Sequence, residues 1–172
     1  MDKLKRLFFW FQTTLWTFYS LQKVKTAGAG LRVNYPSRFT AQTVIGVDCH
    51  FNGINIIGRG SIFIGDHFHS GSEILVITQN HNYEKPDALP YDETDIPKSV
   101  RIGKNCWIGS RVTILPGTVI EDGVVVQAGA ILFGIIPKCS VVGGNPWKVI
   151  KYRDVDRYEE LEKRGVYVGW HN

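Results

Sequence analysis

Histidine and cysteine are the side chains here best suited to proton transfer or nucleophilic attack, and the 172-residue chain holds five and three of them. Histidine exchanges a proton near neutral pH, so an exposed, well-held imidazole is the natural general base. His81 stands 17 residues after Ile64 of an Ile-Gly-Asp run, directly before an acidic, proline-rich stretch. A side chain at such a junction is both held and exposed. His67 and His69, two apart, would share one face of a strand. They read as corner or subunit-interface packing, as support for His81, or as metal ligands. His50 lies two residues from Asn52, and His171 belongs to the tail. The three cysteines make no CxxC, and their odd number argues against a secreted disulfide framework. The expectation is a reduced, cytoplasmic chain. Cys49 and Cys106 read as core filler, and Cys139 lies at a turn with no evident base beside it.

These residues must be positioned by a repeat of six. From Ile102, aliphatics recur at Ile108, Ile114, Ile120, Val126 and Leu132. Ile, Leu and Val are 44 of 172 residues, so such a run arises by chance about 3 times in 10,000. Four positions on stand Cys106, Val112, Thr118, Val124 and Ala130, all small or β-branched. Upstream the beat is looser: Val33, Phe39, Ile45, Phe51, Ile57, then one inserted residue, then Ile64, Ser70 and Val76. A helix would put residues six apart on nearly opposite faces, and a flat strand would alternate. A short strand plus a turn per six residues fits, with three units making a triangular coil of 18. Stacked coils sit about 4.8 Å apart, with Ile102 on Ile120, Ile108 on Val126 and Ile114 on Leu132. This is a parallel β-helix, stable only as an array. A β-sandwich of short strands is the less suited alternative.

The repeat spans residues 28–150. Within it, residues 82–99 carry three prolines and five acids against two lysines, and read as an excursion loop. Residues 151–172 form a tail with a short surface helix expected to end near Gly165. Residues 1–27 differ in kind. They hold five basic residues against one acid, and seven of the 21 aromatics. The remainder carries fifteen charges of each sign. A neutral body lacks the basic stripe of a nucleic-acid-binding domain. Leu4, Phe8, Phe11, Leu15 and Phe18 fall at helical spacing, bracketed by Lys3, Lys5, Arg6, Lys23 and Lys25. The apolar stretch is interrupted by polar residues, lacks a clean cleavage site and is short of the ~20 residues that span a bilayer. It reads either as an amphipathic helix peripheral on an anionic membrane or as a cap on the open end of the β-helix.

The segment Val100–Arg153 reads IGKNCWIGS, then ILPG, QAGA and GGNPWKVIKYR. It resembles the hexapeptide-repeat acetyltransferases, among them the galactoside, maltose and streptogramin enzymes and those of polysaccharide assembly. The resemblance implies a left-handed β-helix; the spacing alone does not give the hand. It also implies a homotrimer that binds acetyl-CoA between neighbouring subunits, and it calls for no metal.

Moving an acetyl group from a thioester to a hydroxyl needs a base, a donor for the oxyanion and a groove with cations for the cofactor. By the resemblance, His81 is the catalytic base. Asn52, with His50 beside it, contacts the acceptor. Trp107 stacks on the cofactor, or else packs between subunits. Ser110, Ala128 and Gly129 line the pantetheine arm. Lys138, Lys148 and Arg153 are candidates for the CoA phosphates, against the plainer reading of a charged tail. One departure stands out: a Thr-Lys pair usual before the final Ile-Pro is replaced by the apolar run Leu132–Pro137.

The expected function is O-acetyl transfer to a sugar, in cell-surface polysaccharide or lipopolysaccharide assembly. A lipid-linked glycan is the acceptor if residues 1–27 touch membrane. A small hydroxylated molecule such as an antibiotic is the alternative acceptor. A β-helical carbonic anhydrase would need three zinc histidines at a spacing that His67, His69 and His81 lack. A non-catalytic scaffold would not need His81, Trp107 or the long loop.

Overall fold

A computed structural model describes residues 3–168; His171 lies outside them. The chain winds as a three-sided parallel β-helix. The first face stacks Thr26–Ala27, Thr43–Ile45, Ile62–Ile64, Val100–Ile102, Val119–Ile120 and Ile135–Ile136. The second stacks Arg32–Val33, His50–Phe51, His69–Ser70, Trp107–Ile108, Val125–Val126 and Ser140–Gly144. The third stacks Ile54–Ile57, Ile74–Ile77, Thr113–Ile114 and Ile131–Leu132. The registers pair Ile102 with Ile120, Ile108 with Val126 and Ile114 with Leu132, as the repeat requires. All six are buried, and so are Cys106, Val112, Thr118, Val124 and Ala130. Apolar area removed from water along this continuous column is the main stabilising term.

The beat shifts in two places. Ile56, not Ile57, points inward on the third face, because the strand Ile54–Ile57 buries its alternate residues Ile54 and Ile56. The last coil is two residues short, pairing Ile120 with Ile136. The excursion is also more ordered than a bare loop. Asp95–Pro97 returns antiparallel to Gln79–His81, so only residues 82–94 leave the hairpin. Asp92 ties that loop internally, accepting from the Thr94 and Asp87 N–H groups and from Asn82 Nδ2. These bonds favour the ionised carboxylate and hold its pKa below the usual value.

Sharp corners explain several residue types. The corner from the first face to the second is turned by Gly30, Asp48, His67, Asn105, Gly123 and Cys139, all at φ between 50° and 77°. Gly46, Gly65, Gly103 and Gly109, each after an isoleucine and none at positive φ, have a different cause. A Cβ on Gly103 would lie 2.4 Å from Asp122 Oδ1 and 2.7 Å from the Asp122 nitrogen. That carboxylate accepts the Lys104 N–H at 2.9 Å, tying one coil to the next.

Both ends are covered. At the carboxyl end, Trp147–Tyr152 folds back antiparallel on Ser140–Gly144. Helix α2, Val155–Lys163, starts at an Asp154 cap that accepts from Arg157 N–H, and its Tyr158 is buried. At the amino end, α1, Lys3–Leu21, lies against the first strand of the second face.

Candidate active site

His81 ends the strand Gln79–His81, just past the third face, and the hairpin register sets Asp95 directly opposite it. His81 Nδ1 lies 3.3 Å from Asp95 Oδ1. Arg59 pairs with the other oxygen of that carboxylate, which fixes Asp95 from its far side. Tyr91, from the loop, stacks flat on the imidazole with centroids 4.1 Å apart. The side chain of His81 is still half exposed. A carboxylate facing Nδ1 favours the tautomer with its proton there, leaving Nε2 as a proton acceptor. The geometry can therefore supply an oriented, solvent-accessible general base. Asp95, Arg59 and Tyr91 were not singled out by sequence reasoning. The only signal was the acidic composition of the loop, which does not say which acid returns opposite His81.

Asn52 follows the second face and stands in a ladder of polar side chains. Its Nδ2 donates to the Ser70 carbonyl at 2.7 Å, and its Oδ1 accepts from Asn34 Nδ2 at 2.8 Å. Asn34 in turn accepts from Thr13 of α1. His50 and His69 pair in register on the outside of the second face, rings 4.7 Å apart, and Trp107 continues the row beyond His69. Burial pushes the His69 pKa down, and the neighbouring His67 adds to this. His67 sits at its corner 3.8 Å from Asp48 and stacks on Tyr167, a packing arrangement. Cys49 and Cys106 are buried, and burial pushes both thiols up to about 12, so neither is a nucleophile near neutral pH. Among the described residues, no three His, Cys, Asp or Glu side chains converge as metal ligands.

Trp107 is 59% exposed on the second face. Ser110, Ala128 and Gly129 gather at the corner between the second and third faces, where Gly129 donates to the Ser110 carbonyl. Ser110 Oγ accepts from the Ser72 N–H. A Cβ on Gly129 would meet nothing within 4 Å, so the corner is open to a ligand. The three candidate cations differ. Lys138 pairs with Glu159 at 2.9 Å, which raises its pKa. Arg153 donates to the Gly123 carbonyl and lies over the Tyr158 ring. Lys148, exposed on the final strand, has no ion pair among the described residues. In the apolar run that replaces Thr-Lys, the Phe133 carbonyl accepts from Trp147 Nε1, so this stretch closes the fold.

A single chain thus holds two groups apart. His81 follows the third-face strand Ile74–Ile77 in the chain, before the first face resumes at Val100, while Trp107 and the open corner at Gly129 lie on and beside the second.

Residues 99–133 match the family model described as the hexapeptide repeat of succinyl-transferase. The chain is 33% identical over 134 residues to the putative lipopolysaccharide biosynthesis O-acetyl transferase WbbJ of Escherichia coli, covering 73% of this chain and 67% of that one. Several further acetyltransferases are matched over only 23% to 37% of their own length. The maltose O-acetyltransferase of Clostridium difficile superposes with a TM-score of 0.58 at 25% identity, over 89% of this chain and 90% of that one. A galactoside acetyltransferase solved in complex with coenzyme A gives 0.65 at 28% identity, over 76% and 66%. Repeat, coil and relatives agree: the chain belongs to the hexapeptide-repeat acetyltransferases, acyl-transferring enzymes built on a left-handed parallel β-helix.

Proposed function

We propose that this protein is an acetyl-CoA-dependent O-acetyltransferase acting on a sugar hydroxyl in the assembly of a cell-surface polysaccharide or lipopolysaccharide. His81 Nε2 takes the proton of the acceptor hydroxyl as its oxygen attacks the thioester carbonyl. The tetrahedral intermediate collapses with loss of the CoA thiolate, which receives that proton back from the imidazolium. Asp95 holds the imidazole in the required tautomer and steadies its positive charge. The observation that carries this reading is the His81 Nδ1–Asp95 contact on a half-exposed imidazole, in a β-helix of this family.

The enzyme works as a homotrimer. His81 of one subunit meets the Trp107, Ser110, Ala128 and Gly129 groove of its neighbour, because one chain keeps these groups on separate sides. Exposed backbone at the open corner suits the amides of pantetheine, and Lys148, with no ion pair among the described residues, is the candidate cation most available to a CoA phosphate. Lys138 and Arg153 already have partners. Asn52 and His50 flank the acceptor; the Asn34–Asn52–Ser70 ladder orients the Asn52 amide. The buried, unpaired cysteines suit the cytoplasm.

The test is thiol release from acetyl-CoA with a panel of sugar and glycan acceptors. His81→Ala should lower turnover about 10²–10⁴-fold, with acetyl-CoA binding by calorimetry little changed. Near-normal turnover in a folded variant would remove His81 from the mechanism.

A further inference from the structure

Helix α1 meets the protein with its polar side. Gln12, Thr13, Trp16, Thr17 and Ser20 turn inward, and Ser20 is buried. The cause lies at the open end of the β-helix, where the first strand of the second face has backbone groups with no preceding coil to bond. Thr17 Oγ1 accepts the Val33 N–H at 2.9 Å, and Thr13 donates to Asn34. Trp16 adds an apolar seal over the core. The opposite side therefore faces away from the body: Leu4, Phe8, Phe11, Leu15 and Phe18 are each 52–72% exposed. Capping uses none of these five residues.

Charge on the same end is one-sided. From Lys3 to Val47 the sequence has seven basic residues and no acid. Lys3, Lys5 and Arg6 crowd the start of α1, where the helix dipole disfavours cations and the first turn holds no acid. Their placement does not serve the helix itself. Lys23 and Lys25 follow its other end. An apolar stripe between two cationic clusters is complementary to a surface with anionic groups above a hydrocarbon layer. A second copy is a poor occupant, because face-to-face docking would bring two uniformly cationic ends together. With 19 residues at about 1.5 Å each, and no described helix long and apolar enough to cross a membrane, the helix suits lying along the interface.

We propose that α1 docks the enzyme on an anionic lipid bilayer through its outward apolar face, with the β-helix standing off the surface. On the transferase reading above, this placement favours an acceptor carried on a lipid. The docking itself does not depend on that reading, and its test reads no activity.

Full-length protein is floated with phosphatidylcholine vesicles containing about one third phosphatidylglycerol, and with phosphatidylcholine vesicles alone. Binding is expected to the anionic vesicles at low salt, and should weaken at molar salt as exposed charges are screened. The triple variant Phe8→Ser, Phe11→Ser, Leu15→Ser should bind at least about tenfold more weakly, with wild-type melting temperature and mass by light scattering, because these side chains are mostly exposed and the capping contacts are made by Thr13, Trp16 and Thr17. Lys3→Gln, Lys5→Gln, Arg6→Gln should lose the preference for anionic vesicles. No flotation of wild type at low salt would overturn the proposal, as would undiminished binding by the serine variant. A serine variant that aggregates or changes oligomeric mass would also overturn it, since the face would then be covered by protein.

Discussion

At His81 the local geometry decides what the residue can do. An imidazole free to choose its tautomer spends part of its time with Nε2 protonated and unable to act as base. The Asp95 carboxylate, 3.3 Å from Nδ1, biases that choice. Asp95→Asn should lower turnover less than His81→Ala, leave acetyl-CoA binding intact and alter the pH profile of kcat/KM. A wild-type profile would reduce Asp95 to a fold residue. His81 stands out as a candidate through its place before the acidic loop and the motif resemblance. Asp95 does not, because antiparallel pairing across a 13-residue loop is a tertiary fact. His69 makes a separate statement about stability. Burial lowers its folded pKa below the free value of 6.5. Between the two values the unfolded chain binds more protons, so stability falls as pH drops below about 6.5. His69→Gln should flatten that part of the stability curve in urea titrations from pH 7.5 to 5. An unchanged slope would mean that other groups set it.

Among the elements, the coil was the most legible because its period comes from packing. Every sixth residue meets its counterpart in the next coil, so the sequence must repeat the stacking. The places where the beat failed have equally local causes: alternation over a four-residue strand moved the inward position to Ile56, and the short final coil dropped two residues. The Ile-Gly steps make a direct test. Gly103→Ala would push a Cβ against the Asp122 backbone nitrogen, which cannot move without shifting the next coil. It should destabilise the protein by about 1–3 kcal/mol, the usual cost of overpacking, measured as a lower midpoint in guanidinium chloride. A midpoint equal to wild type would mean the coil spacing is softer than the structure indicates. Helix α1 was legible as amphipathic, and its orientation was not. Hydrophobic spacing says which side is apolar. The Val33 N–H, which has no preceding coil to bond and draws Thr17 inward instead, belongs to the end of the array.

For the whole molecule the question is where the two halves of the site come together. The third-face hairpin carries the proposed base, the second face and its corner carry the candidate groove, and in one chain the third face lies between them. In the proposed homotrimer, symmetric association would bring unlike faces of neighbouring subunits together three times. The sharpest measurement is subunit complementation. His81→Ala and Ala128→Trp, the second filling the exposed corner, should each be inactive as pure trimers in the thiol-release assay. Unfolded together in equal amounts and reassembled, they should regain about one quarter of wild-type activity, since a site needs an intact base and an intact groove from two different chains. Mixed trimers as inactive as either parent, in a sample whose wild-type control recovers, would contradict a catalytic site shared between subunits.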